Sequence, residues 1–270
     1  MDAQSRLLGA AGPAPHWGNL GAWISEDNQL SPNQPYNEAA SRLALLHAAA
    51  VGLNEHDNLL ELGAGTGASL RLWASHGVRN IITIDQALTT LPVELRKLGV
   101  SHQSIQADFD TPWSSLPLVD VIIAVDALYH ARSLDSSLRN IATQLTPQGR
   151  WAISTLQVNT DLTRSQKAQI KTQLLACGIA WSGVCHQSFS NLEPPSIFKQ
   201  VGLNVQRIDD LTKSVLAGFA LAIAHREQGL SPSNKLHPAW WRLSLTARLC
   251  RSLVASDKVR YVLISGEKAA

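Results

Sequence analysis

Leu59-Leu60-Glu61-Leu62-Gly63-Ala64-Gly65-Thr66-Gly67-Ala68 is the stretch that decides the fold. Two leucines and an acid lead into three glycines at alternate positions. An apolar run that ends this way reads as a buried strand, a tight turn and the start of a helix. Gly63 and Gly65 carry no Cβ, so the turn is free to take positive φ and a ligand can lie against bare backbone. Glu61 falls at the end of the strand. In doubly wound sheets ligands bind outside that carboxyl edge.

Outward from the loop, strands and helices alternate. Apolar runs predict strands over 58–62, 80–84, 104–106, 119–125 and 150–154, with helices over 66–76, 91–98 and 133–145 between them. The run 119–125 is continuous and β-branched, as in a strand covered on both faces. A helix over 36–52 precedes them, with Ala39, Leu43, Leu46 and Ala50 at helical spacing. After residue 155 come a polar helix over 164–175, a loop holding Cys185 and His186, a helix over 194–201 and a strand over 203–208. Two apolar helices, 211–228 and 238–254, and a last strand over 258–265 follow. The expected fold is α/β: a doubly wound, mostly parallel seven-stranded sheet with an antiparallel last strand and helical cap insertions. Residues 1–34, rich in Gly, Pro, Ser and Asn, form an irregular strap or lid. Residues 35–270 form the main domain, with insertions at about 156–190 and 209–257.

Composition narrows the function. The chain has 270 residues, 45% of them apolar, enough for one large domain with a core. Net charge is +2 and the basic residues are scattered, which argues against a nucleic-acid partner. Cys177, Cys185 and Cys250 make no disulfide framework and suit a reducing compartment. Cys185 and His186 lack the further ligands of a structural zinc site, so no metal is expected. The longest apolar stretch, 215–224, falls short of the roughly 20 residues that cross a bilayer. These readings place the protein in the cytoplasm, without stable membrane insertion and with its oligomeric state open.

Three further acids end predicted strands. Asp85 can accept both hydroxyls of a ribose, whether of NAD or of another adenosine ligand; the other reading is a solvated strand-end acid or a helix cap. Asp108 can accept from an adenine amine with Phe109 packed on the ring, or it can cap the next turn. Asp126-Ala127-Leu128-Tyr129-His130 follows the most apolar strand, where polar groups would face the reactive part of a ligand. The glycine loop alone also satisfies the dinucleotide pattern G-x-G-x-x-G/A, with Ala68 in the last position.

As a set, these residues resemble the class I (Rossmann-like) S-adenosylmethionine-dependent methyltransferases. Glu61-Leu62-Gly63-Ala64-Gly65-Thr66-Gly67 looks like that class's first motif, E/D-x-G-x-G-x-G. Asp85, with Gln86 beside it, matches the ribose-binding acid; Asp108-Phe109 matches the adenine position and Asp126-Ala127 the segment after the fourth strand. Leu145-Thr146-Pro147-Gln148-Gly149 is similar to its L-x-P-G-G turn, with Gln148 for the first Gly. The layout is similar to small-molecule methyltransferases of the ubiquinone, tocopherol and terpenoid type. Asn19-Leu20-Gly21-x-Trp23 followed by Tyr36 is similar to the lid of some of these, where a Tyr reaches the methionine end of the cofactor.

The resemblance implies S-adenosyl-L-methionine as cofactor and a small, apolar or aromatic acceptor. A sulfonium methyl is already activated, so the enzyme has to align the acceptor and exclude water. His130 is the expected base, because imidazole titrates near neutrality. Tyr129, His186 and Trp23 are expected at the acceptor. Two other readings stay open: an NAD-dependent oxidoreductase, for which no Tyr-x-x-x-Lys pair is evident, and a non-catalytic binding protein on the same fold. The helix over 238–254 mixes Trp240 and Trp241 with Arg242, Arg248 and Arg251, as either a cap helix with a solvated basic face or one that touches a membrane or an anionic substrate.

Overall fold

The computed structural model describes residues 3–10, 16–113, 115–191 and 193–269. Chain order is α1 (Ala3–Leu7), α2 (Tyr36–Val51), β1 (Asn58–Leu62), α3 (Ala68–Ser75), β2 (Asn80–Asp85), α4 (Val93–Lys97) and β3 (Ser101–Gln106). Then come β4 (Val119–Ala124), α5 (Leu134–Gln144), β5 (Leu145–Asn159), α6 (Arg164–Ala176), β6 (Cys185–Gln187), α7 (Ser196–Gln200) and β7 (Leu203–Asp210). The chain closes with α8 (Gly218–Gly229), α9 (Pro232–Lys235), α10 (Pro238–Ser256) and β8 (Val259–Lys268).

All strands join one sheet in the order β3-β2-β1-β4-β5-β8-β7, with β6 off this path on β5. β8 alone runs against its neighbours, pairing antiparallel with β5 and β7. The alternation of strand and helix up to β5 therefore gives the parallel, doubly wound sheet, and the late return gives the antiparallel strand. β4 lies beside β1 and β5, and alternate side chains serve opposite cores. Val121 and Ile123 pack with α2, α3 and α10 residues, while Ile122 and Ala124 pack with Leu138, Ile141 and Trp151. Its β-branched run is thus buried on both faces.

Three expectations need correction. The sheet has eight strands rather than seven, because β5 extends to Asn159 and Gln157–Asn159 pair in parallel with Cys185–Gln187. Nothing apolar or alternating in Cys185-His186-Gln187 announces a strand; the overhanging edge of β5 recruits it. The helix expected over 211–228 is not α-helical throughout, since Lys213–Ala217 is a π-helical turn that runs directly into α8. The strap is not wholly irregular, for it contains α1 and a bridge between Ile24 and Leu30. Residues 1, 2 and 11–15 of that segment lie outside the described residues.

Two details prepare the site. Leu145 and Arg150 pair with Val119 and Val121, so residues 146–149 bulge out of the ladder as the expected turn. Gln148 takes φ 63° there, which explains why the resembling motif has Gly at this place. The excursion α8–α10 leaves the sheet after Asp210 and returns at Val259, opposite Val158 near the end of β5. Both ends of this cap therefore lie at the carboxyl edge of the parallel strands.

Candidate functional site

A cavity of about 570 Å³ opens at the carboxyl edge of β1, β2, β3 and β4. Its first wall is the glycine loop. Gly63 turns at φ 78°, and a Cβ there would stand 2.3 Å from the Ala127 Cβ, so only glycine lets the first and fourth strand ends approach. Gly65 turns at φ 53° and a Cβ there would meet nothing within 4 Å, so its bare backbone faces open space. Both residues line the cavity with Ala64 and Ala127.

Glu61 closes the floor of this wall. It is buried, and one carboxylate oxygen accepts from Ser69 Oγ and Trp73 Nε1, each at 2.8 Å. Burial lifts its pKa from 4.5 to about 7; the two donors pull it down and the charge of Asp85 adds to the rise. Asp85 ends β2 and tightens the loop by accepting from the Gly65 N–H at 2.8 Å. Gln86, Asp108 and Phe109 continue the wall. Arg132 holds Asp108 across a 3.3 Å ion pair and also lines the cavity.

Asp126 builds the opposite end. It takes φ 55°, a conformation open to Asp and Asn more than to most residues, and its N–H donates to Ser154 Oγ at 2.6 Å. Its carboxylate accepts from the Leu20 N–H at 2.6 Å, from Tyr261 Oη at 2.9 Å and from Tyr129 Oη. Burial raises its pKa, and those donors oppose the rise. Burial and the Asp126 charge raise both tyrosines well above their ordinary value, so they stay protonated donors.

The Leu20 bond ties the strap across the cavity. Two more ties hold it: Thr66 Oγ1 donates to the His16 carbonyl at 2.7 Å, and Tyr36 Oη lies 2.9 Å from the Trp17 carbonyl and 2.7 Å from that of Asn19. His16, Trp17, Gly18 and Asn19 thereby become cavity wall. Asn19 Nδ2 donates to the Ala40 carbonyl at 3.2 Å, which leaves Oδ1 buried with no partner among the described residues.

The structure brings together Glu61, Gly63, Ala64, Gly65, Asp85, Gln86, Asp108, Phe109, Asp126, Ala127 and His130. His130 is exposed, with its ring 4.6 Å from that of Tyr129. Five expected residues lie elsewhere. Gly67 starts α3 at φ 85° and is not in the wall. Tyr36 is buried behind the strap and spends its hydroxyl on strap carbonyls rather than facing the cavity. Trp23 is wholly buried: its indole donates to the Leu20 carbonyl at 2.8 Å and its Cβ packs on Gly218, so it is core rather than acceptor site. Tyr129 faces Asp126 from behind the wall. His186 lies outside the cavity, 2.9 Å from the Trp181 carbonyl with its ring against that indole. Sequence reasoning quoted Asn19 and Thr66 only inside motifs, with no role of their own, and did not single out Tyr261 or Arg132. The local signals were those two motifs; the rest depends on distant pairings.

The site fits a nucleoside with a charged tail. It pairs strand-end acids with an aromatic ring, bare backbone and a buried acceptor at Asn19 that an ammonium would satisfy, and its volume is that of an ordinary small-ligand site. A family model described as a methyltransferase domain matches residues 34–208. The chain belongs to this methyltransferase family. S-adenosyl-L-methionine is the methyl donor, as the motif set implied, and the oxidoreductase and non-catalytic readings are not favoured. No curated protein sequence matches the chain. Among solved structures it is similar to the cyclopropane synthase MmaA2 from Mycobacterium tuberculosis, at 17% identity and TM-score 0.68 over 99% of this chain and 94% of that one. It is also similar to the mycolic acid cyclopropane synthase CmaA1 complexed with SAH and CTAB, at 15% identity and TM-score 0.69 over 99% of this chain and 94% of that one. A geranyl diphosphate methyltransferase in complex with SAM aligns at 15% identity and TM-score 0.60 over 96% of this chain and 100% of that one. Such likenesses establish the methyltransferase fold, and the acceptor has to be argued from the site.

Proposed function

We propose that this methyltransferase moves the methyl group of S-adenosyl-L-methionine to a small, apolar or aromatic molecule by in-line displacement, with His130 as base. The observation that carries the reading is that the glycine loop, Asp85, Asp108, Phe109, Asp126 and His130 all line one cavity. In this reading Asp85 and Gln86 take the ribose, Asp108 and Phe109 the adenine, and Glu61 with Asn19 the ammonium of the methionyl end. The strap residues 16–19 exclude water from the reacting end, and His130 accepts the proton released by a hydroxyl or amine acceptor. Gly67 and Tyr36 act by shaping the loop and pinning the strap. Residues 1–34 work as the lid, and 35–270 as the catalytic domain with its two insertions.

A net charge of +2 on the whole chain favours a small acceptor over nucleic acid. Cys177, Cys185 and Cys250 are free, which favours the cytoplasm. Among the described residues no helix is long and apolar enough to cross a membrane. The test is S-adenosylhomocysteine release with a panel of small phenols, amines and prenylated alcohols. His130→Ala should slow turnover by about a hundredfold or more, with S-adenosylhomocysteine affinity little changed. Normal turnover in that variant would remove His130 from the chemistry.

A further inference from the structure

The α9–α10 segment exposes a surface that the cavity does not use. Trp241, Leu245 and Arg248 recur at i, i+4 and i+7, so they form one outward strip of α10. Trp241 is 65% exposed and Leu245 54%, and Leu236, just before α10, is 72% exposed. The opposite face is buried through Trp240, Leu243, Ala247, Cys250 and Leu253. An apolar strip this open on a helix already anchored by its other face needs a partner.

Charge identifies the partner's chemistry. From Gln228 to Ser256 the chain has Lys235, Arg242, Arg248 and Arg251 and no acidic residue. The whole chain carries only +2, so the basic residues are less evenly scattered than expected and their excess over acids falls in this stretch. All four cations are exposed, and among the described residues none of them forms an ion pair. Trp241 Nε1 donates to the Lys235 carbonyl at 3.1 Å, which fixes the indole over the α9–α10 corner beside Leu236. A solvated basic face would have no use for a fixed, exposed indole between two leucines. Apolar anchors flanked by uncompensated cations match the interface of an anionic bilayer, where indole and leucine enter the headgroup boundary and arginines meet lipid phosphates.

We propose that Leu236, Trp241 and Leu245, flanked by Lys235, Arg242, Arg248 and Arg251, dock the protein reversibly on the surface of anionic membranes. No helix enters the bilayer; the contact is peripheral. It stands independently of the acceptor assigned to the cavity.

The test is flotation of the full chain with two kinds of vesicle: phosphatidylcholine alone, and equal parts phosphatidylcholine and phosphatidylglycerol. The protein should float with the second and not the first, and high salt should release it. Arg242→Gln/Arg248→Gln/Arg251→Gln should weaken binding on the order of a hundredfold. Trp241→Ser/Leu245→Ser should weaken it about tenfold or more, with the thermal midpoint unchanged because these side chains are exposed. Lack of flotation with either vesicle, or flotation that both variants retain, would overturn the proposal. So would a dimer in sedimentation that Trp241→Ser/Leu245→Ser dissolves, which would assign the strip to a second copy of the chain.

Discussion

Two carboxylates stand at the carboxyl edge of neighbouring strands, the buried Glu61 near the end of β1 and the half-buried Asp126 just after β4, and they are held in different ways. Glu61 takes its donors from Ser69 and Trp73, eight and twelve residues away on α3. Asp126 takes Leu20 from 106 residues before it and Tyr261 from 135 residues after it. One acid is a property of a local strand-turn-helix unit. The other is a knot that joins the strap, the central strand and the last strand. The difference teaches that acids at one sheet edge can serve a local loop or the closure of the whole site.

Removing the knot is the strongest test. Asp126→Ala strips the acceptor from three donors, two of them buried tyrosine hydroxyls, and should cost about 3–5 kcal/mol in urea unfolding. It should also free the strap, seen as faster hydrogen exchange at the Leu20 amide. An unchanged exchange rate there would mean that Thr66 and Tyr36 hold the strap without Asp126.

The glycine loop separates stability from binding. Gly63→Ala places a methyl 2.3 Å from the Ala127 Cβ at φ 78° and should cost about 3 kcal/mol. Gly65→Ala meets only open space, so its strained φ should cost about 1 kcal/mol while the new methyl obstructs the cavity. Urea midpoints and S-adenosylhomocysteine titrations should therefore rank the two variants in opposite orders.

The local acid makes a pH prediction. Glu61 rises from 4.5 to about 7 in the folded chain. Between those values the folded state keeps a proton that the unfolded state has released, so stability falls as pH rises through this window. The loss is on the order of 3 kcal/mol by the upper end. Glu61→Gln keeps an acceptor for Ser69 and Trp73 but cannot ionise, so its stability should stay flat where the wild type declines. Parallel urea curves at both ends of the window would show that Glu61 does not titrate there.

The same contrast explains what could be read in advance. The alternation of strands and helices and the glycine-loop side of the cavity rest on short, local signals: apolar runs, glycines at strand ends and an acid closing each strand. Glu61, Asp85 and Asp108 are of this kind. Asp126 is legible as a strand-end acid with Tyr129 three residues on, but its other two donors, Leu20 and Tyr261, lie far along the chain and carry no spacing signal. Trp23 is expected at the acceptor because its motif is similar to a lid; Gly218 makes the room that buries it. The resemblance puts Tyr36 at the methionine end of the cofactor, and its hydroxyl binds the strap instead. β6 exists only because β5 outruns its neighbours. Gln148 shows the reverse case, where a departure from a glycine motif leaves the turn intact at φ 63°.

The central claim is that the walled cavity holds S-adenosyl-L-methionine through its strand-end acids. Thermal unfolding with S-adenosylhomocysteine, with NAD and with neither tests it most directly, for wild type and Asp85→Ala. A ligand at about 100 times its dissociation constant adds roughly 2.7 kcal/mol, a clear shift of the midpoint. The account predicts a shift with S-adenosylhomocysteine that Asp85→Ala loses relative to its own unliganded midpoint. A shift with NAD alone, or one that survives Asp85→Ala undiminished, would contradict it.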